Sequence, residues 1–450
     1  VSTQAAVGSR GQAGHPQRRQ LGADLLFALF GVAIGLALAA PVVDGTLAEV
    51  HTPGGSLLAA STLTGLVGTA AMWIMVVLAS RVPLLDRVVG QPAVMRWHRL
   101  LAPWAVGFVL GHVVLAIGAD ALAARAPFLR AAIQVASTSA AMVAATVAGV
   151  VVALVGAISF PAVRARIPRE HWWLVHLLLY AAIVLAIVHE LALGPTFVTH
   201  PAARAAWIIA WAVAGLSVLS FRVVRPWARS RRLALSVVGV RDLGGGRFTE
   251  VRLSSRHQLH WDGGQYLLWR FHHGLRALEA HPFTVLPGSS STELRLVARR
   301  VGDFTSWLAD VPPGTRVSVE GPYGAFTLAE RRGSASLLVA GGAGQTAVLA
   351  LLGDLDAQSA PQVVLRVHDE ADAVLLEELT EAVRARGGEL RLVVGSRREV
   401  PLAAIFEGLD DLGETDVWIA GPPEFVRVVE ALAVARGARS ALLHADPYAI

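Results

Sequence analysis

Four histidines lie in two apolar stretches at nearly matched spacing, His98 and His112 in one, His176 and His189 in the other. An imidazole in hydrocarbon is costly, so histidines inside membrane spans face a bundle interior and mark function. Neutral imidazole is a metal ligand. Two pairs at similar separation suit two stacked cofactors clamped between two helices, and four such imidazoles fit two b-type haems, each held from both sides. The competing role is hydrogen bonding between helices, which a single histidine per span would serve. Four at matched depths favour ligation. His51 and His200 read as solvated loop residues.

The spacing sets the depth. Fourteen residues separate the first pair by about 21 Å along a helix, and thirteen separate the second by about 19.5 Å. The angles agree less well: fourteen residues fall about 40° short of whole turns and thirteen about 140° short. The helix carrying His176 and His189 must therefore bend, or meet its cofactors from different sides. His171 is a rival ligand, but it precedes the apolar run and abuts Arg169 and Glu170, which suits an interface.

The elements that must hold these histidines are membrane spans. Of the 450 residues, 54% are hydrophobic, and they crowd into the first half. Stretches of roughly 20 residues, long enough to cross a bilayer, occur at 22–43, 57–80, 97–118, 132–160, 172–193 and 204–221. The first follows a polar arm, residues 1–20, with Arg10, Arg18 and Arg19. It also fits a signal peptide ending near Ala39–Ala40, but its length and the spans that follow favour a membrane segment.

Every fixed basic charge is arginine, since lysine is absent. With heavy Ala, Gly and Val usage, this suggests a GC-rich bacterial genome. Arg81, Arg87 and Arg96 mark one loop, Arg164, Arg166 and Arg169 another, and Arg222, Arg225, Arg229, Arg231 and Arg232 the exit of the last span. Loops 44–56 and 190–203 carry none. The positive-inside rule then predicts a plasma (inner) membrane protein with both termini cytoplasmic. His98 and His176 would lie near the cytoplasmic face, and His112 and His189 toward the outer face. Topology also accounts for the net charge of +5, so no nucleic-acid partner is expected. Cysteine is absent, which excludes disulfides, thiolate nucleophiles and cysteine-held iron–sulfur clusters.

The second half alternates short apolar runs with charge. Strands are expected at Leu235–Val240, Phe248–Leu253, Gln265–Phe271, Glu293–Ala298 and Arg316–Glu320. Among them lie His281-Pro282-Phe283-Thr284, Gly302-Asp303-Phe304-Thr305 and Gly321-Pro322-Tyr323-Gly324, in that order. From about 335, strand and helix alternate. Ser336–Ala340 runs into Gly341-Gly342-Ala343-Gly344-Gln345-Thr346 and the helical Val348–Leu355. A Gly-rich turn between strand and helix lets a dinucleotide's phosphates approach backbone and helix N-terminus, although tight turns use glycine for backbone reasons too. Val363–Val367 with helix Ala373–Arg384, Leu390–Val394 with a following helix, and Asp416–Ile419 before Gly421-Pro422-Pro423 complete a doubly wound pattern. Ligands of such sheets sit at the carboxyl ends of the strands.

These motifs, in this order, resemble the ferric reductase and NADPH oxidase superfamily in a bacterial form, over nearly the whole chain. The resemblance implies a six-helix membrane bundle with the four histidines as ligands of two b haems. His281, Pro282, Phe283 and Thr284 resemble its flavin motif, and Gly302 and Thr305 the positions that cradle the FAD pyrophosphate. Gly341, Gly342, Gly344 and Thr346, with Gly421 and Pro422, resemble the nicotinamide nucleotide site. Ser396 and Arg397 stand where related enzymes grip a 2′-phosphate, which favours NADPH over NADH; a surface salt bridge is the other role open to Arg397. Asp369 and Glu370 are acids that would instead suit an unphosphorylated ribose.

Several residues depart from the family pattern. Ala347 replaces a proline, Ala420 a cysteine, and Val285 and Leu286 small serines. Asp446 stands for the common glutamate. Ile450 ends the chain where an aromatic usually stacks on the flavin, with Tyr448 two residues earlier. All lie where nucleotide meets flavin.

The expected architecture is a polar arm (1–20), an all-α six-helix membrane haem domain (21–222), a β-barrel FAD-binding domain (233–330) and an α/β doubly wound NAD(P)H-binding domain (334–450). The expected function is electron transfer from cytoplasmic NAD(P)H through FAD and two haems to a ferric chelate or oxygen outside. A partner protein on that outer side is left open. Two other classes compete: a haem-bearing subunit that feeds a partner enzyme, and a non-enzymatic transporter or receptor whose histidines carry protons. No protein acid–base residue is required, so no catalytic side chain is assigned.

Overall fold

The structure is a computed structural model and describes residues 16–43, 45, 50–89, 91–409 and 411–448. Arg10 and Ile450 lie outside the described residues. The chain divides into two compact units, residues 14–224 and 225–450.

Residues 14–224 are helical because long Ala, Val and Leu runs can satisfy every backbone group within one segment, the condition for crossing lipid. Helix Ala140–Ile158 shows the pattern. Val143, Val147, Val150 and Leu154 form an exposed stripe, while Ala148, Val152 and Val155 are buried against neighbouring helices. An apolar stripe left bare on that scale suits lipid. Among the described residues, five helices are long and apolar enough to cross a membrane: Pro53–Ala79, Ala93–Ala123, Ala140–Ile158, His171–Leu193 and Pro201–Leu233. The first expected span is helical over Pro16–Val43, but its apolar stretch Asp24–Ala39 is shorter than those five.

Two expected spans are divided. The fourth, 132–160, splits into Phe128–Ser137 and Ala140–Ile158. The hydroxyl of Ser139 caps the second piece by accepting from the amide of Met142 at 3.2 Å, and side-chain caps of this kind compete with helix continuation. The fifth is interrupted at Leu177, immediately after His176, between Arg169–His176 and Leu178–Leu193, although Leu177 itself keeps helical dihedrals of φ −64° and ψ −21°. At the other end, Pro201–Val218 passes through a π-helical turn, Leu219–Val224, into the Arg-rich helix Arg225–Leu233.

In residues 225–450, the strands are β1 Ser236–Leu243, β2 Phe248–Ser254, β3 Tyr266–Phe271, β4 His281–Thr284, β5 Leu286–Pro287, β6 Glu293–Arg299 and β7 Val317–Tyr323, then β8 Ala335–Gly341, β9 Gln362–Val367, β10 Glu389–Val394, β11 Thr415–Gly421 and β12 Leu443–Pro447. The first seven form two antiparallel sheets, β1-β2-β6-β5 and β4-β3-β7, joined by a bridge between Ser236 and Arg316. The alternation in β3 is strict: Leu267, Trp269 and Phe271 are buried, with Leu253, Leu294 and Val317 in the same core.

The last five strands form a parallel sheet in the order β10-β9-β8-β11-β12. Its two faces have separate cores. Helices Gln345–Asp354 and Leu376–Arg384 supply Val348, Leu351, Leu379 and Val383 to one, and helix Pro423–Val434 supplies Phe425, Val426 and Val429 to the other. The helix expected after β10 is only a 3-10 turn, Leu402–Phe406. Strand order changes side between β8 and β11, since the chain goes from β8 to β9 and β10 on one flank and then returns to β11 and β12 on the other, and such a switch point opens the crevice in which ligands of these sheets bind.

Candidate functional site

The helical unit brings the histidines together in two pairs. Ring centroids of His98 and His176 are 6.5 Å apart, and those of His112 and His189 6.2 Å apart. His171 is exposed and stands outside both pairs.

Tautomers follow from the partners. Nδ1 of His98 lies 3.3 Å from the carbonyl oxygen of Met75, Nδ1 of His112 2.8 Å from that of Ser61, and Nδ1 of His189 2.7 Å from that of Ala186. A carbonyl only accepts, so Nδ1 carries the proton in all three and Nε2 keeps its lone pair. His176 has a buried Nδ1 with no hydrogen-bond partner, and its ring stacks on Trp172 at 4.8 Å.

Helix Pro53–Ala79 is the scaffold of the His112–His189 pair. Ser61, Gly65 and Thr69 recur every fourth residue and so share a face. Ser61 also donates its hydroxyl to the carbonyl of His112 at 3.1 Å. A Cβ at Gly65 would meet Nδ1 of His112 at 2.7 Å, so only glycine admits the ring there. The hydroxyl of Thr69 donates to Glu190 at 2.9 Å. Sequence reasoning missed all three. The small-residue spacing was visible, but nothing local said which helix it faced.

These pairs pass a geometric test for haem. A metal–imidazole bond is about 2 Å, and the ring centre lies about 1 Å behind the nitrogen, so two imidazoles on one iron place their centres roughly 6 Å apart. Among the described residues, no group of three or more His, Cys, Asp or Glu is placed to hold a bare metal ion. The pairs suit a macrocycle that brings its own nitrogens.

In the sheet-rich part, His281-Pro282-Phe283-Thr284 is itself strand β4, pinned where the buried Trp269 indole donates to the carbonyl of Phe283 at 3.0 Å. Pairing sets Thr284 beside Tyr266, Pro282 beside Leu268, and Tyr323 on the other flank of Tyr266. The two tyrosine rings are 5.9 Å apart. This half-buried face is wide enough in its two aromatic rings to offer a flat ligand a surface, and Tyr266 was not foreseen. His281 instead stacks on Phe304 at 3.7 Å and reaches Glu279 at 3.1 Å. Gly302 opens the short helix Asp303–Trp307, where the hydroxyl of Thr305 accepts from the amides of Val301 and Gly302 at 3.0 and 3.1 Å.

At the switch point, close packing explains most glycines of the turn. A Cβ on Gly341 or Gly421 would strike the Phe425 ring, and one on Gly344 the carbonyl of Ala420. Gly342, at φ +56°, faces the guanidinium of Arg299 instead, and that residue too was missed. Thr346 is buried, its hydroxyl donating to the carbonyl of Ala343 at 2.9 Å. Tyr448 spans the crevice. Its hydroxyl donates to the carbonyl of Gly341 at 2.6 Å, and its amide to that of Gly421 at 3.1 Å. Burial raises the Tyr448 phenol far above its usual range and pushes the Asp446 carboxyl up to about 6. Pro422 caps helix Pro423–Val434.

The loop after β10 is built from behind. Buried Arg366 donates to the carbonyls of Val367, Val393, Ser396 and Val400, which fixes the turn that presents half-buried Ser396 and exposed Arg397. Glu399 accepts from the Ser396 amide at 2.7 Å. Asp369 is engaged by Arg247 at 2.8 Å, which also holds its carboxyl below the usual range.

Membrane helices, antiparallel flavin-type sheets and a parallel nucleotide-type sheet in one chain define a membrane flavoprotein oxidoreductase of electron transport. Residues 64–187 match the family model described as the ferric reductase like transmembrane component, and residues 240–327 match that of an FAD-binding domain. The two together are the domain pairing of the ferric reductase and NADPH oxidase superfamily.

Among curated proteins, the probable dihydroorotate dehydrogenase B (NAD(+)), electron transfer subunit, of Methanopyrus kandleri is 34% identical over 102 residues. That match covers 23% of this chain and 36% of that protein's length. Similar solved structures include a cytochrome P450 reductase of Amycolatopsis, 22% identical over 48% of this chain and 69% of that one, with a TM-score of 0.43. The FAD/NAD-binding domain of a Vibrio cholerae nitric oxide dioxygenase is 18% identical over 48% and 99%, at 0.41. A flavohemoglobin of Malassezia yamatoensis is 17% identical over 91% and 98%, at 0.45. The fold described above rests on this chain's own sheets and helices.

Proposed function

We propose that this chain carries electrons across the plasma membrane, from cytoplasmic NAD(P)H through FAD and two b haems to a ferric chelate or oxygen outside. The observation that supports it most is the pairing of His98 with His176 and of His112 with His189 at 6.5 and 6.2 Å. When bound, haem and flavin supply the one- and two-electron chemistry, and the protein supplies position and electrostatics.

The chain's own residues have distinct tasks in this reading. The backbone carbonyls of Met75, Ser61 and Ala186 orient three ligand rings, as outer partners of metal-binding histidines do. The face made by Thr284, Pro282 and Tyr266 seats the flavin, and Gly302 with Thr305 its pyrophosphate. Gly342 and Arg299, whose guanidinium also pairs with Asp372 at 3.5 Å, meet the nucleotide's phosphates, while Ser396 and Arg397 meet a 2′-phosphate, which a guanidinium can grip with two hydrogen bonds. The helix Pro16–Val43 is the sixth span, the two antiparallel sheets form the flavin barrel, and both termini are cytoplasmic. No residue is needed as a general acid or base.

An absorbance spectrum of the purified protein, taken before and after anaerobic NADPH, tests this. An intense Soret band that shifts on reduction without any added protein is expected. A colourless protein would favour a transporter, and haem that NADPH reduces only with a second protein would favour a subunit.

A further inference from the structure

The outer pair has a neighbour with no task so far. Glu190 follows His189 directly, inside a segment otherwise apolar. The hydroxyl of Thr69 donates to one carboxylate oxygen at 2.9 Å and the indole of Trp207 to the other at 2.8 Å. Both partners are donors, one on each oxygen, and they sit on two helices, Pro53–Ala79 and Pro201–Val218, that flank the one bearing Glu190. An acid within a span is costly and is found where it has a role.

We propose that Glu190 is a positioning residue for His189 and a fixed counter-charge to the iron of the outer pair, an inference that rests on the haem reading above. The clamp ties the helix to both neighbours one residue past the ligand. It thereby fixes the rotation that turns His189 toward His112. Outer partners of metal ligands act in this way, and their loss typically costs about 10–100-fold in metal affinity. A donor on each oxygen favours the ionised form of the acid, and that carboxylate does a second thing. In a medium of low dielectric, a nearby negative charge favours the more positive state of an iron centre. The outer haem should therefore have a lower reduction potential than its two histidines alone would give, while the inner pair, far down the helix, should feel little of it.

A spectroscopic redox titration of the full-length holoprotein tests both halves, with His112→Ala identifying the outer signal. Glu190→Gln keeps the size and much of the hydrogen bonding but removes the charge. It should retain both haems with a low-spin spectrum and shift the outer haem's oxidised-to-reduced ratio about tenfold toward reduced, or about 59 mV for one electron. The inner midpoint should not move. Glu190→Ala should loosen His189 and leave the outer haem high-spin or lost. An outer midpoint unchanged in Glu190→Gln would overturn the counter-charge, and an intact low-spin outer haem in Glu190→Ala would overturn the positioning. Wild-type protein lacking haem would be a different failure, that of the haem reading itself.

Discussion

Gly65 and His112 fit as a socket and its contents: a Cβ at Gly65 would sit 2.7 Å from Nδ1 of a ring already bonded at 2.8 Å to the carbonyl of Ser61. The ring cannot retreat without losing that bond, and losing it frees the ring's rotation beside His189, whose centroid is 6.2 Å away.

Gly65→Ala should therefore act on one pair only. Purified variant protein should fold and keep the inner haem, with haem content near half that of the wild type. Overpacking in tight contacts costs about 1–3 kcal/mol, enough to expel a ring but small for a whole bundle. Full haem occupancy in this variant would show that the Ser61–Gly65 face does not place His112.

Arg397→Ala should raise KM for NADPH and leave NADH little changed. A charge-assisted hydrogen bond is worth about 1.5–3 kcal/mol, so a rise of roughly tenfold or more is expected. Steady-state kinetics with both nucleotides check this, and equal effects on the two would refute the 2′-phosphate role.

Hydride transfer should be slow. Residue 420 is a buried alanine where the family has cysteine, and Tyr448 is turned toward the carbonyl of Gly341. Nicotinamide capture is then less well organised, and misplacement by about 1 Å can cost roughly a hundredfold. Stopped-flow should show slow flavin reduction by NAD(P)H but fast haem reduction once dithionite has reduced the flavin. Equally fast phases would contradict this.

Asp446 gives a pH dependence. Burial raises its carboxyl to about 6, above the unfolded range of about 4. The stability it contributes is present below that range and is lost as pH rises through about 6. Asp446→Asn should therefore stabilise the nucleotide-binding sheet at pH 8, by about 3 kcal/mol, and make little difference near pH 4. Flavin-release midpoints at the two pH values measure it, and a benefit independent of pH would refute the assignment.

Much of this architecture is readable from the chain. The four paired histidines stand out because apolar surroundings make each one conspicuous. Other features are set by distant contacts. Strand β4 is four residues with a proline, and β12, Leu-His-Ala-Asp-Pro, lacks alternation; both become strands by pairing with β3 and β11. Gly65, Arg299, Arg366 and Glu190 owe their roles to partners tens to more than a hundred residues away in sequence. No local pattern announces such partners.

The most direct test of transmembrane electron transfer uses sealed right-side-out vesicles. NADPH trapped inside should reduce an impermeant ferric chelate outside, external NADPH should not, and His112→Ala should abolish the signal while flavin reduction survives. Reduction driven only by external nucleotide would contradict the orientation, and undiminished reduction in His112→Ala would contradict the route through the histidine pairs.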